Sequence, residues 1–243
     1  MNILSIGNSF SQDAQRYLHQ IARTDGVKLN VYNIMIGGCP LSLHYRNMLS
    51  ELKEYTMEVN GVNTGFKISL KEALLNRDWD VVTVQQVSSK SPYYETYQPY
   101  LDKLVEYIRF CVPKVKIALH QTWAYEDGSE LLKVEMGYMK HSDMFKDIKS
   151  SYEKAAEAIK ADIFIPSGEL FYMLVEAGMK KVHRDTFHAS LGLGRYALGL
   201  LWYQCLTNNK ISDNSFNDFD EDILIEELEF VKSCVEKLES KNN

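Results

Sequence analysis

Short runs rich in β-branched and aliphatic residues alternate along this chain with longer stretches of helical periodicity, and that alternation admits few folds. Strands are predicted at residues 2–6, 28–36, 79–85, 115–119 and 162–165. The third is apolar almost without interruption, as a strand covered on both faces must be. Ala14, Leu18, Ile21 and Ala22 share one face of a helix expected to start near Ser11. Further helical patterns cover 41–55, 71–76, 97–111, 129–160, 168–178 and 191–206. A Val-Asn-Gly-Val turn inside 56–69 predicts a small antiparallel hairpin set apart from the main sheet. Ile223, Leu224, Leu228, Val231 and Val235 make the tail, residues 213–241, a C-terminal amphipathic helix. The expected architecture is one α/β domain over residues 1–243, a three-layer α/β/α sandwich on a mainly parallel five-stranded sheet.

Composition narrows the function classes. Hydrophobic residues at 45% against 25% charged are enough to build a core, which excludes a disordered chain. Thirty-three acids and 27 bases leave a net charge of −6 with no basic stripe, so no nucleic-acid partner is expected. The longest apolar runs, at 81–84 and 198–202, fall far short of a membrane span. Cys39, Cys111, Cys205 and Cys234 are widely spaced with no C-x-x-C pair, which argues against a disulfide scaffold or a thiolate zinc site. Met1 runs straight into the first strand with no room for a secretory leader, so a cytoplasmic, reduced protein is expected. No sequence feature specifies an oligomeric state.

Ligands of an open α/β sheet collect beyond the strand ends. Four of those ends read Gly7-Asn8-Ser9-Phe10-Ser11, Gly37-Gly38-Cys39, Gln85-Gln86-Val87-Ser88 and His120-Gln121-Thr122-Trp123, and Asp185-Thr186-Phe187-His188 precedes a late helix. Ser9, on a tight strand-to-helix turn, offers a hydroxyl and a backbone N–H to the same space. Ser9 or Ser11 could equally cap the helix. A phosphate site is disfavoured because neither G-x-G-x-x-G nor G-x-x-x-x-G-K-[ST] occurs. Asp185 and His188 stand three apart, so a turn can aim both at one point. A serine nucleophile needs such an imidazole to take its proton, and the imidazole needs a carboxylate to fix its tautomer. Two rivals use the same residues: His188 as a loop histidine bonded to a carbonyl, or His183, Asp185 and His188, with His120, as ligands for zinc or iron. His19, His44 and His141 lie inside helical patterns and are assigned to packing or surface.

Together these blocks resemble the SGNH hydrolase superfamily, the GDSL-type esterases and lipases, over residues 2–208, in a branch that opens with G-N-S-F-S. The resemblance implies a flavodoxin-like fold, Ser9 as nucleophile, and the D-x-x-H pair Asp185 and His188 as orienting acid and base. It also implies backbone donors to the oxyanion at Ser9 and at Gly38, with Gly37 as an alternative. Two departures stand out. Asn8 replaces the usual aspartate of the first block, and Gln85-Gln86-Val87-Ser88-Ser89 stands where G-x-N-D is expected. Gln86 is the candidate third oxyanion donor, with Gln85 and Ser88 as alternatives.

The implied reaction is ester hydrolysis through an acyl-enzyme, with no metal or organic cofactor. Tyr93, Tyr94, Tyr97, Tyr100, Trp123 and Tyr125 follow the third and fourth strands. Aromatic faces there suit an acylated carbohydrate, although the same residues could instead pack the helix and sheet. Gln85, His120 and Trp123 are expected to contact a small-molecule ester. A metal-dependent hydrolase and a non-catalytic carbohydrate- or metabolite-binding protein are the alternatives.

Overall fold

In the computed structural model, which describes residues 1–242, the valine-rich strand predictions become a continuous sheet. Its strands are β1 (Asn2–Gly7), β2 (Asn30–Met35), β3 (Tyr55–Val59), β4 (Val62–Ile68), β5 (Val81–Val84), β6 (Lys116–His120) and β7 (Ile163–Ile165). They lie in the order β4-β3-β2-β1-β5-β6-β7. The five predicted strands pair in parallel, β2 with β1, β1 with β5, β5 with β6 and β6 with β7. Numbered among themselves they run 2-1-3-4-5, the flavodoxin order, with the switch point between β1 and β5. All four residues of β5 are buried, as their unbroken apolar run requires.

The sheet has seven strands rather than five. Asn60 and Gly61 take φ values of 53° and 80°, the paired positive φ of a type I′ hairpin turn. That turn matches the twist of its strands, and β3 then pairs antiparallel with β2 instead of standing apart from the sheet. The predicted helix 41–55 is correspondingly shorter. Helix α3 ends at Ser50, Glu51 takes φ 53°, and Tyr55 opens β3.

The helices are α1 (Ser9–Gln15), α2 (Leu18–Thr24), α3 (Leu41–Ser50), α4 (Leu70–Leu75), α5 (Tyr100–Cys111), α6 (His141–Ile159), α7 (Ser167–Glu176), α8 (Leu193–Thr207) and α9 (Ile225–Asn242). On one face of the sheet α1 and α2 pack against α8, and on the other α3, α4 and α6 pack against α5. The predicted first helix is two, broken where the Arg16 N–H turns back to the Asp13 carbonyl. The predicted helix 129–160 starts only at His141. Gly137, at φ 75°, separates α6 from a π-helical turn at Leu131–Glu135, in which the Met136 N–H reaches Leu131. The tail becomes helical at Ile225, not at 213. Upstream, the Asn214 amide donates to Ile21, Thr24 and Asp25, which holds the segment against α2. No helix among the described residues is long and apolar enough to cross a membrane.

One charged cluster joins elements that are distant in the chain. Asp13 of α1 is completely buried, and both its carboxylate oxygens accept from Arg184 Nη1 at 2.9 Å. Arg195 Nε of α8 donates to Oδ1 at 2.9 Å, and the Ala189 N–H donates to Oδ2 at 3.2 Å. Arg195 and Arg16 also pair with Asp220, which brings in the segment before α9. Asp13→Asn leaves two guanidinium groups without their buried counter-charge and is expected to lower stability by about 3–5 kcal/mol in urea denaturation. Asp220→Asn, at the partly exposed end, should cost less than about 1 kcal/mol. Equal losses in the two variants would contradict this ranking.

Candidate active site

The turn after β1 is built so that the Ser9 hydroxyl is left free. A side chain at Gly7 would collide with that of Ser11, so the strand can turn tightly only with glycine there. Asn8, in extended conformation, is the N-cap of α1, and its Oδ1 accepts from the Phe10 N–H at 3.0 Å. Ser11 points inward, 2.8 Å from the Asn8 carbonyl. Neither serine caps the helix, and Ser9 Oγ lies 2.8 Å from His188 Nε2. The Nδ1–H of the same ring donates to Asp185 Oδ2 at 2.8 Å, and the His188 backbone N–H donates to Oδ1 at 2.9 Å. Thr186, at φ 73°, reverses the chain so that Asp185 and His188 face one way. Burial tends to raise the Asp185 carboxyl, but the two hydrogen bonds from His188 and the charge of Arg184 outweigh it and hold the group below the usual carboxylate range. The carboxylate is therefore ionised at neutral pH, the form that orients an imidazole.

The loop carrying Asp185 and His188 is fastened from outside and from below. The Glu126 N–H donates to the Thr186 carbonyl, and Trp123 Nε1 donates to the Phe187 carbonyl at 2.7 Å. The Phe187 ring lies against the imidazole at 4.0 Å between centroids, with Phe10 at 5.8 Å. Ser9 and His188 open onto a cleft of about 410 Å³. Gly37, Gly38, Val87, Ser88, Ser89, Tyr125 and Phe187 line it as well. Gly38 takes φ 61° in a turn closed by the Cys39 N–H on the Ile36 carbonyl. Among the described residues, the Ser9 and Gly38 N–H groups have no acceptor within the protein.

The model of one family, Domain of unknown function (DUF4886), matches residues 2–228. The chain belongs to the DUF4886 family. A DUF4886 protein from Bacteroides uniformis is 28% identical, with a TM-score of 0.91 over 100% of this chain and 95% of that one. A candidate SGNH hydrolase from Slackia heliotrinireducens shares 22% identity and a TM-score of 0.62, over 85% of this chain and 98% of that one. A variant of an acetyl xylan esterase from Geobacillus stearothermophilus shares 15% identity and a TM-score of 0.53, over 89% and 97%. This DUF4886 chain therefore has the SGNH hydrolase fold. No curated protein sequence matches it.

The remaining candidates of this DUF4886 chain lie under the cleft rather than in it. Gln86 is fully buried; its Nε2 donates to Thr96 at 3.1 Å, and its Oε1 accepts from the Leu41 and Val87 N–H groups at 3.0 and 2.9 Å. Its amide fixes loops and is not available as the third oxyanion donor. Gln85 donates to Asn8 Oδ1 at 2.8 Å and accepts from His120 Nδ1 at 2.8 Å. His120 is enclosed against Trp202 at 4.7 Å, and burial pushes its pKa down to about 3, so the ring is neutral. Trp123 is sandwiched between Phe10 and Phe171 at 4.1 and 4.5 Å. None of these three can contact a substrate, because each ring or amide is covered by protein. The metal-ligand set is likewise not assembled. Among the described residues no three histidine, cysteine or acidic groups converge, and His183 Nε2 donates to the Ala124 carbonyl.

Several residues that shape the site were not singled out from the sequence. Asp13 stands one helical turn after Ser9, and Arg184 directly precedes Asp185; that spacing is the signal that could have found the pair. Phe10 and Phe187, adjacent to Ser9 and His188, clasp the imidazole. Asn8 explains a departure from the SGNH pattern. Its Nδ2 donates to the Cys39 carbonyl at 3.3 Å, tying the serine turn to the Gly37-Gly38 turn. An aspartate has no proton to give and would set two oxygens against each other. Asn8→Asp is expected to lower stability by about 1–3 kcal/mol in thermal or urea unfolding. Unchanged stability would show that the Cys39 contact contributes nothing.

Proposed function

We propose that this protein is a serine esterase that works through an acyl-enzyme. The observation that carries the reading is the continuous relay from Ser9 Oγ through His188 to Asp185, with both contacts at 2.8 Å. His188 removes the Ser9 proton as Oγ attacks the ester carbonyl, and Asp185 stabilises the imidazolium that forms. The N–H groups of Ser9 and Gly38 receive the charge that develops on the carbonyl oxygen. His188 then protonates the departing alcohol, and a water activated by the same ring releases the acid and restores Ser9.

The substrate class we infer is a short acyl ester on an uncharged alcohol, an acylated carbohydrate in particular. Among the described residues, no titratable cation other than His188 and no carboxylate lines the cleft, so none of them would select a charged substrate. The aromatic wall of Tyr125 and Phe187 suits a sugar ring or a short acyl chain. The name of the Geobacillus stearothermophilus relative in fold supports the same class.

Ser9→Ala is expected to lower kcat on p-nitrophenyl acetate by about 10³-fold or more. A fluorophosphonate probe should add to Ser9 in the native protein and to nothing in that variant. Asp185→Asn should retain the fold and lose up to about 10⁴-fold in kcat, because the imidazole loses its tautomer control. Turnover that survives Ser9→Ala, or that a chelator abolishes, would overturn the assignment.

A further inference from the structure

With both glutamine amides engaged in the protein, the third donor to the oxyanion has to come from elsewhere on the cleft wall. We propose that the Ser88 hydroxyl fills this role, with the Tyr125 hydroxyl as its positioning partner; the assignment rests on the esterase reading above. Ser88 lies just beyond β5 and lines the same cleft as Ser9, Gly38 and His188. Its Oγ is 2.9 Å from the Tyr125 hydroxyl, and both residues are buried.

Counting protons shows what this pair can do. Two hydroxyls carry two protons, and the hydrogen bond between them uses one. Among the described residues neither hydroxyl has another partner, so one proton remains to be given to a third group. The phenol is the stronger acid and donates to Ser88, which leaves the Ser88 proton to point elsewhere. A donor that itself accepts a hydrogen bond is strengthened by it, because the dipoles align. Burial pushes the Tyr125 phenol up to about 12, so it keeps its proton throughout the range in which an imidazole base works. The donor is thus fixed before reaction, as stabilisation of a developing charge demands.

The test compares native protein, Ser88→Ala, Tyr125→Phe and the double variant on p-nitrophenyl acetate, with fluorophosphonate labelling and thermal melting in parallel. Ser88→Ala is expected to lower kcat by about 10²-fold with KM within twofold of native, because the contact forms only with the charged oxygen. Tyr125→Phe should lower kcat less, and the double variant should be no slower than Ser88→Ala, since the two act as one unit. Should Ser88→Ala not fold, Tyr125→Phe decides alone: a several-fold lower kcat at unchanged KM supports the assignment, and an unchanged kcat overturns it. Native kcat in Ser88→Ala, with Ser9 still labelled, overturns the donor and leaves the esterase standing. A native protein that neither turns over ester nor takes the label overturns both.

Discussion

Asp13 holds the site together. Its carboxylate is completely buried and shared by guanidinium groups from the loop at 184 and from helix α8. Ser9 and Asp13 lie one turn apart on the same short helix, so their separation is fixed by helical geometry. Arg184 and Ala189, which Asp13 binds, bracket Asp185 and His188. A hydroxyl near one end of the chain is therefore set against an imidazole 179 residues later through a rigid helical turn and a charge pair. A buried ion cluster of this kind adds little net stability over well-packed apolar groups, yet breaking it is costly. It fits a fold in which two distant segments must meet to hydrogen-bond accuracy.

The two departures from the SGNH pattern have a common physical origin. Asn8 donates to the Cys39 carbonyl and accepts from Gln85, and Gln85 in turn accepts from a neutral, enclosed His120. An amide at position 8 can bridge the serine turn and the glycine turn because it both donates and accepts. Once Gln85 completes that chain and Gln86 is committed to Thr96 and the start of α3, the end of β5 has no side-chain amide left for the cleft. The buried hydroxyl pair of Ser88 and Tyr125 then keeps one uncommitted side-chain proton at the cleft. The first and third blocks are thus consistent with each other in this chain.

The alternation of apolar strands and helical patterns determined the parallel α/β sheet, because a two-residue or a 3.6-residue period is written locally and needs no partner to be recognised. The glycine turns and the Asp185-Thr186-Phe187-His188 block were legible for the same reason: each is a compact string whose chemistry follows from adjacent residues. The hairpin's place at the β2 edge, the break at Gly137 and the late start of α9 were not, since each depends on contacts with segments far away. The directions of Gln86, His120 and Trp123 belong with them. A strand end shows which residues reach the ligand side of the sheet, but only the packing against Thr96, Trp202 and Phe171 decided that these three turn inward. The order of the chemistry was carried by the chain; which side chains remain free to perform it was decided by what the folded protein covers.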